Sequence, residues 1–397
     1  MKQLFPIILF SLITLSAWPQ SIRPDAFPPV EETLSPKSLS MASTLDEMYQ
    51  WNRYPTYEVY VEMMNHFADT YPTLCRLDTL GTSVNGRLIL ALAITGSDEN
   101  DLVRPPFYYT STMHGDEITG FYFMLRLCDT LLSSYGLSRD ITNLLNSVVV
   151  YINPLSNPDG TYRGGNNTVA NAVRYNANSV DLNRNFPDPF GTNPLDSIQP
   201  ENIAQINYAQ QHHFRMSANL HGGSEVMNYP WDSFTSAERP HEHADWWKQV
   251  SKRYVDTCRL SSRRIFSDVN SNGYIAGGDW YVIPNGRQDY FNYVHHTLEL
   301  TMEVSSTKKL PSEQLIRYWN IQSRSLINYI KEVLSLPTDP INIPATPSAQ
   351  ILVYPNPTRG PLYIDTPEGT RYLDLSNKPA GIHILQIQGK PVKIIKL

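Results

Sequence analysis

Four short, mostly apolar runs constrain this chain more than any other feature: residues 106–110, 148–152, 216–220 and 298–304. Each has the length of a strand, and strands apolar on both sides must be covered on both faces. Between them, apolar residues recur at helical spacing over 121–132, 203–213 and 244–259, and a longer helical pattern closes the series at about 312–334. Ahead of them, a helix is expected over 59–71 and strands over 74–80 and 88–94, the latter two separated by Asn85-Gly86. Strands alternating with helices predict an α/β fold: a mixed, largely parallel central sheet flanked by helices. Ligands of such sheets bind outside the carboxyl ends of the strands. The residues that follow each strand are therefore the first place to look for chemistry.

Run 106–110 is followed by Thr112-Met113-His114-Gly115-Asp116-Glu117. An imidazole and a carboxylate three residues apart at a helix start can turn toward one point, as the first two ligands of zinc must. The pair arises often by chance, so its weight depends on a third ligand. His221 is the best candidate, because it ends run 216–220 and precedes Gly222-Gly223. His212, His213, His241, His243, His295 and His296 lie in polar, acidic or strand-leading contexts and read as surface or core residues. Cys75, Cys128 and Cys258 form no Cys-x-x-Cys pair and no disulfide framework, although one bridge is possible. Arg174 and Arg184 share a loop-rich stretch with several amides. That combination suits an anionic ligand gripped by guanidinium, or a turn-rich loop held by Asn and Asp side chains.

Taken in order, four motifs converge: His114-Gly115-Asp116-Glu117, Asn157-Pro158-Asp159-Gly160, Asp181-Leu182-Asn183-Arg184-Asn185-Phe186 and Leu220-His221-Gly222-Gly223. Together they closely resemble the zinc metallocarboxypeptidases, and most of all the regulatory branch that includes carboxypeptidases D, E, M and N. The resemblance covers about residues 57–334. It implies one zinc ion held by His114, Glu117 and His221, and hydrolysis of the C-terminal peptide bond of peptides or proteins. It implies that Arg174 polarises the scissile carbonyl, while Asn183 and Arg184 hold the substrate's terminal carboxylate. Glu303 is the implied general base, with Glu299 as a competitor on the same face of the strand. Tyr281 would cover the substrate, and Asp232 and Gln288 would receive a Lys or Arg side chain. Asp116 is left as a structural neighbour of the ligands.

Three departures bear on specificity. Arg287 puts a positive charge beside the expected basic-residue pocket, the segment Tyr290-Phe291-Asn292-Tyr293 is out of the usual register, and no transthyretin-like domain fits before the Pro-rich linker. The alternatives are a zinc peptidase acting on cell-wall peptides and a non-catalytic, peptide-binding relative.

The ends carry other signals. A basic start, an apolar stretch and a small residue near its end describe a signal peptide over residues 1–20. Residues 21–46 read as a linker or short pro-segment, 47–335 as the catalytic domain and 336–350 as a Pro-rich linker. Residues 351–397 read as a small all-β module, with its clearest strands at 382–387 and 392–395. Val353-Tyr354-Pro355-Asn356-Pro357-Thr358-Arg359-Gly360, Ala380-Gly381-Ile382-His383 and a basic end resemble a type IX secretion sorting domain. That likeness implies the type IX machinery as a partner and a secreted or cell-surface location in a Gram-negative bacterium. A net charge of −6 without concentrated Lys and Arg argues against nucleic acid. No later run approaches the roughly 18 apolar residues of a membrane span.

Overall fold

The computed structural model describes residues 38–96, 104–191, 194, 196–337, 352–354, 361–366, 369–387 and 390–396. The expected leader, most of the 21–46 stretch and nearly all of the Pro-rich linker lie outside the described residues. The chain divides after Leu336 into two compact units.

The first unit opens with two minimal parallel strands, β1 (Met41–Ala42) and β2 (Tyr54–Pro55), separated by helix α1 (Leu45–Met48). Then come α2 (Tyr57–Thr70), β3 (Cys75–Thr82), β4 (Leu88–Ile94), β5 (Pro106–Ser111), α3 (Thr119–Ser134) and α4 (Arg139–Ser147). The middle of the chain supplies β6 (Val149–Asn153), the short α5 (Pro158–Thr161), α6 (Pro200–His212), β7 (Met216–His221) and β8 (Ser224–Tyr229). It ends with α7 (Ala244–Arg259), β9 (Tyr274–Ala276), α8 (Gly277–Trp280), α9 (Arg287–Val294), β10 (Leu298–Ser305) and α10 (Leu315–Lys331).

Eight strands form one sheet in the order β3-β4-β6-β5-β7-β10-β8-β9. Its centre, β6-β5-β7-β10, is parallel, as is the β8–β9 edge, while β3–β4, β4–β6 and β10–β8 are antiparallel. The mixed sheet expected from the apolar runs is therefore present. Period-two packing explains why those runs are apolar throughout. On β5, Phe107 and Tyr109 point into one core with residues of α2, α3 and α10. Tyr108, between them, points into a second core with Tyr208 of α6 and Phe291 of α9. Burial of each such side chain contributes about 1.5–3 kcal/mol.

The elements that escaped the sequence reading include α4, β8 and α9. α4 starts where the Ser138 hydroxyl accepts from the Ile141 N–H. β8 follows the Gly222-Gly223 turn and pairs antiparallel with β10. α9 occupies the segment that looked out of register. Cys75, Cys128 and Cys258 are all buried and free, so no disulfide bridge forms.

The second unit has one three-stranded antiparallel sheet, β11 (Leu352–Tyr354), β12 (Pro361–Thr366) and β13 (Gly369–Asp374), and one antiparallel pair, β14 (Gly381–Ile387) and β15 (Lys390–Lys396). Among the described residues, no helix is long and apolar enough to cross a membrane.

Because β5, β7 and β10 are adjacent and parallel, their carboxyl ends meet at one edge. There His221 of β7 is the register partner of Glu303 on β10, and Ser111 of β5 is the partner of Leu220.

Candidate metal and substrate site

His114 and Glu117 sit on the loop between β5 and α3, and His221 ends β7; all three are buried. Glu117 Oε2 lies 3.0 Å from His114 Nδ1 and 2.9 Å from His221 Nδ1, and the two Nδ1 atoms are 3.0 Å apart. The outer nitrogens are engaged elsewhere. His114 Nε2 meets Asp181 Oδ1 at 3.1 Å, and His221 Nε2 meets the Asn219 amide at 2.7 Å. The Asp181 carboxylate on the outer nitrogen of His114 turns the inner one toward a common point, which is how histidine ligands are oriented. Two imidazole nitrogens and one carboxylate oxygen match the donors of a catalytic zinc site that keeps a position open. Among the described residues, these three form the one cluster of His, Cys, Asp or Glu close enough to hold an ion.

The protonation state of His221 agrees with that role. Burial pulls the His221 imidazole down to about 4, leaving it neutral and able to bind metal. Burial would also lower His114, but Glu117 and Asp181 outweigh it and hold it above the ordinary histidine value. Burial likewise works against the charge on Glu117, yet the two histidines keep this carboxyl well below its usual range. Gly222 N–H donates to Glu117 Oε2 at 3.2 Å, while Lys308 Nζ lies 3.2 Å from Glu117 Oε1. Asp116 meets Lys308 at 3.4 Å, so it is a tether for that lysine.

The same pocket is lined by Arg174, Asn183, Tyr281, Asp232 and Glu303. Arg174 Nη1 is 3.6 Å from Glu117 Oε1, and its Nε donates to Asp181 Oδ2 at 2.8 Å. Glu303 is buried, and its Oε2 has no hydrogen-bond partner. Burial and the nearby Glu117 push this carboxyl well above the ordinary carboxylate range. Asp232 accepts from the Asn228 and Gln288 side-chain amides at 3.2 and 2.9 Å. Gln288 is itself buried behind Asp232, with its Oε1 accepting from Thr301 N–H at 2.7 Å. Arg184 stands outside the pocket lining and donates to the carbonyl of Asn183 at 2.8 Å.

This constellation coincides with a recognised family, since the model of the zinc carboxypeptidases matches residues 60–325. The chain belongs to the zinc carboxypeptidase family. It is similar to rat carboxypeptidase D, with 33% identity over 300 residues that cover 72% of this chain and 21% of the relative. Mouse carboxypeptidase M is 35% identical over 71% of this chain and 66% of its own. The chain thus spans about a fifth of the length of the carboxypeptidases D it matches. Among solved structures, thrombin-activatable fibrinolysis inhibitor superposes with a TM-score of 0.62 at 17% identity, covering 78% of this chain and 79% of that one. Carboxypeptidase A from Helicoverpa armigera gives 0.60 at 18% identity, covering 71% and 74%. At these identities the structural likeness concerns the fold alone.

Two expectations are corrected. Arg287 does not face the pocket. Its guanidinium is buried in the core, bonded through Nε to Glu299 at 2.9 and 3.1 Å and through Nη1 to Gln205 at 2.9 Å, over the ring of Phe291. Glu299 is consequently no competitor for the base, since its carboxylate is spent on Arg287 and on Ser217 at 2.7 Å. Deleting one member of such a buried pair ordinarily costs about 3–5 kcal/mol, so Arg287 is a structural charge. Asp181, Asn219 and Lys308 were missed as neighbours of the metal donors. A signal existed for the first two. Asp181 opens the Asp-Leu-Asn-Arg motif, and Asn219 lies two residues before His221 on one strand, hence on the same face.

Proposed function

We propose that this carboxypeptidase releases a single C-terminal lysine or arginine from peptides. The observation that carries the reading is Asp232, a carboxyl only 2% exposed, whose side-chain partners are the neutral amides of Asn228 and Gln288. Burial and the neighbouring Asp289 push it well above the usual carboxylate range. A cation brought by the substrate would offset that cost, whereas an apolar side chain would leave the carboxylate uncompensated.

The other groups have separate tasks in this reading. His114, Glu117 and His221 hold zinc, which when bound supplies Lewis acidity toward a carbonyl and toward water. Asn183 and Arg184 grip the terminal carboxylate of the peptide. Tyr281, half-exposed at the mouth, covers the bound residue. Glu303 takes the proton of the attacking water and delivers it to the departing amine. Arg174 faces the oxygen on which negative charge develops.

A library of peptides differing only in their last residue tests the reading. The wild-type protein is expected to release Lys and Arg first. Asp232→Asn should lower kcat/KM for those substrates by about 10–100-fold, the worth of a charge-assisted contact, and leave peptides ending in Leu or Phe unaffected. Preferred release of apolar residues by the wild type would reject the basic preference. The leader and C-terminal module, on their sequence alone, support the further proposal of work outside the cytoplasm of a Gram-negative bacterium, after delivery by type IX machinery. Mature enzyme recovered from the cytosol with residues 1–20 intact would reject it.

A further inference from the structure

The turn Asn157-Pro158-Asp159-Gly160 has no task in the reaction above, yet it is wedged between two segments that do. Asn157 is fully buried. Its Oδ1 accepts from Gly160 N–H at 2.9 Å, which sets the orientation of the amide, because the opposite end faces two carbonyls. There Nδ2 donates to Met113 O at 3.1 Å and to Arg174 O at 3.3 Å. Met113 immediately precedes the metal donor His114. Gly115, immediately after it, donates its own N–H to Arg174 O at 3.2 Å.

The backbones around this bridge leave no room. A Cβ on Gly115 would lie 2.4 Å from the carbonyl carbon of Gly160, and one on Gly160 would lie 2.6 Å from Tyr175 O. Thr161 Oγ1 donates to Gly115 O at 2.9 Å, and Val173 N–H donates to Gly160 O at 2.9 Å. The loop of the metal donors, the turn and the Arg174 segment therefore form one packed unit, with the Asn157 amide at their junction.

We propose that Asn157 is a positioning residue whose amide, by joining the carbonyls of Met113 and Arg174, sets the distance between the metal donors and the Arg174 guanidinium. The proposal rests on the reading that Arg174 stabilises the developing oxyanion. Arg174 is then held at two points. Asp181 ties its head, at Nε, and also holds His114; at the root, the main-chain carbonyl accepts from both the Asn157 amide and Gly115 N–H. Loss of the Asn157 donations leaves the root on the Gly115 contact alone and lets the head shift about Asp181, and a displacement of about 1 Å at a reacting centre can cost about 10²-fold in rate. Asp159, in the same turn, has a different task. Its carboxylate holds Arg87 Nη1 at 2.6 Å and Asn85 N–H at 2.8 Å.

The test compares Asn157→Ser, whose shorter hydroxyl keeps an acceptor for Gly160 N–H and has one donor in place of two, with Asn157→Asp, whose carboxylate keeps the acceptor and loses both donations. Asp159→Asn serves as a control in the same turn. Each is made in the wild type and in an Arg174→Ala background, with kcat, KM, bound zinc and melting temperature measured on a peptide ending in arginine. Either Asn157 variant is expected to lose about 10–100-fold in kcat. KM should stay within about threefold and zinc should stay stoichiometric, because the metal donors and the substrate pocket keep their own contacts. In the Arg174→Ala background the same substitution should change kcat by less than about twofold, since the group it positions is gone. Asp159→Asn should lower the melting temperature and leave kcat unchanged.

An equal loss in both backgrounds, a loss that follows zinc content, or a folded Asn157 variant with full kcat would each overturn the proposal. The Ser variant keeps the test available if the Asp variant, whose buried carboxylate would face the carbonyls of Met113 and Arg174, does not fold. Unchanged kcat in Arg174→Ala alone would instead reject the role read for Arg174, and the proposal with it.

Discussion

Glu303→Gln is expected to keep its zinc and its substrate affinity while losing about 10²–10⁴-fold in kcat, the range for removal of a general base. Glutamine is isosteric, so the strand pairing of β10 with β7 and β8 is untouched. What is lost is the ability to accept a proton at a carboxylate that faces the pocket, with Oε2 free of hydrogen-bond partners. The sign of the pH effect follows from the elevated carboxyl. Burial and Glu117 favour its protonated, inactive form, so wild-type kcat/KM should fall as pH drops through its pKa. A divalent cation held by the neighbouring donors moves that fall to lower pH. The variant should lack this acid limb. Pre-steady-state and steady-state kinetics with metal analysis check all three points, and a Gln variant with wild-type kcat would remove Glu303 from the mechanism.

Removal of the metal is expected to have an effect of similar or greater size. Loss of a Lewis acid forfeits several kcal/mol of transition-state stabilisation, and about 1.4 kcal/mol is worth a factor of ten. Chelation should therefore reduce hydrolysis by about 10³-fold or more, with recovery on addition of zinc. His221→Ala should resist that recovery. The fold should survive chelation, because Glu117 keeps partners in His114, His221, Lys308 and Gly222 N–H. Zinc should nonetheless raise the melting temperature, by about 4 kcal/mol of added stability at a thousandfold excess over its dissociation constant. Activity assays beside thermal unfolding, with and without chelator, decide the matter. Full activity in verified metal-free protein would refute zinc dependence.

The parts of this molecule that were legible in its sequence are those governed by local pattern. Apolar runs buried on two faces announced β4, β5, β6, β7 and β10, and the residues just past β5 and at the end of β7 announced the metal donors. β8 was hidden by its mixed composition, since Ser224, Glu225 and Asn228 interrupt the apolar pattern that marks a central strand. α9 was hidden because its residues are buried through tertiary packing and have little helical periodicity of their own. Arg287 shows the limit most clearly. Its charge was legible, but the direction of its side chain depends on Glu299, across a loop and on another element. The competition between Glu299 and Glu303 could not be resolved for the same reason. Residues four apart on a strand share a face, and only the partners waiting at each end separate the structural carboxylate from the one in the pocket.

The position of β10 in the sheet also has a consequence in time. The strand enters late in the sequence, yet it lies between β7 and β8, both formed from much earlier residues. Inserting a strand between two others requires long-range contacts that close after local ones. A chain in which β10 has not docked has no Glu303 opposite His221, so the general-base role proposed for Glu303 depends on a contact that closes only when this strand is in place.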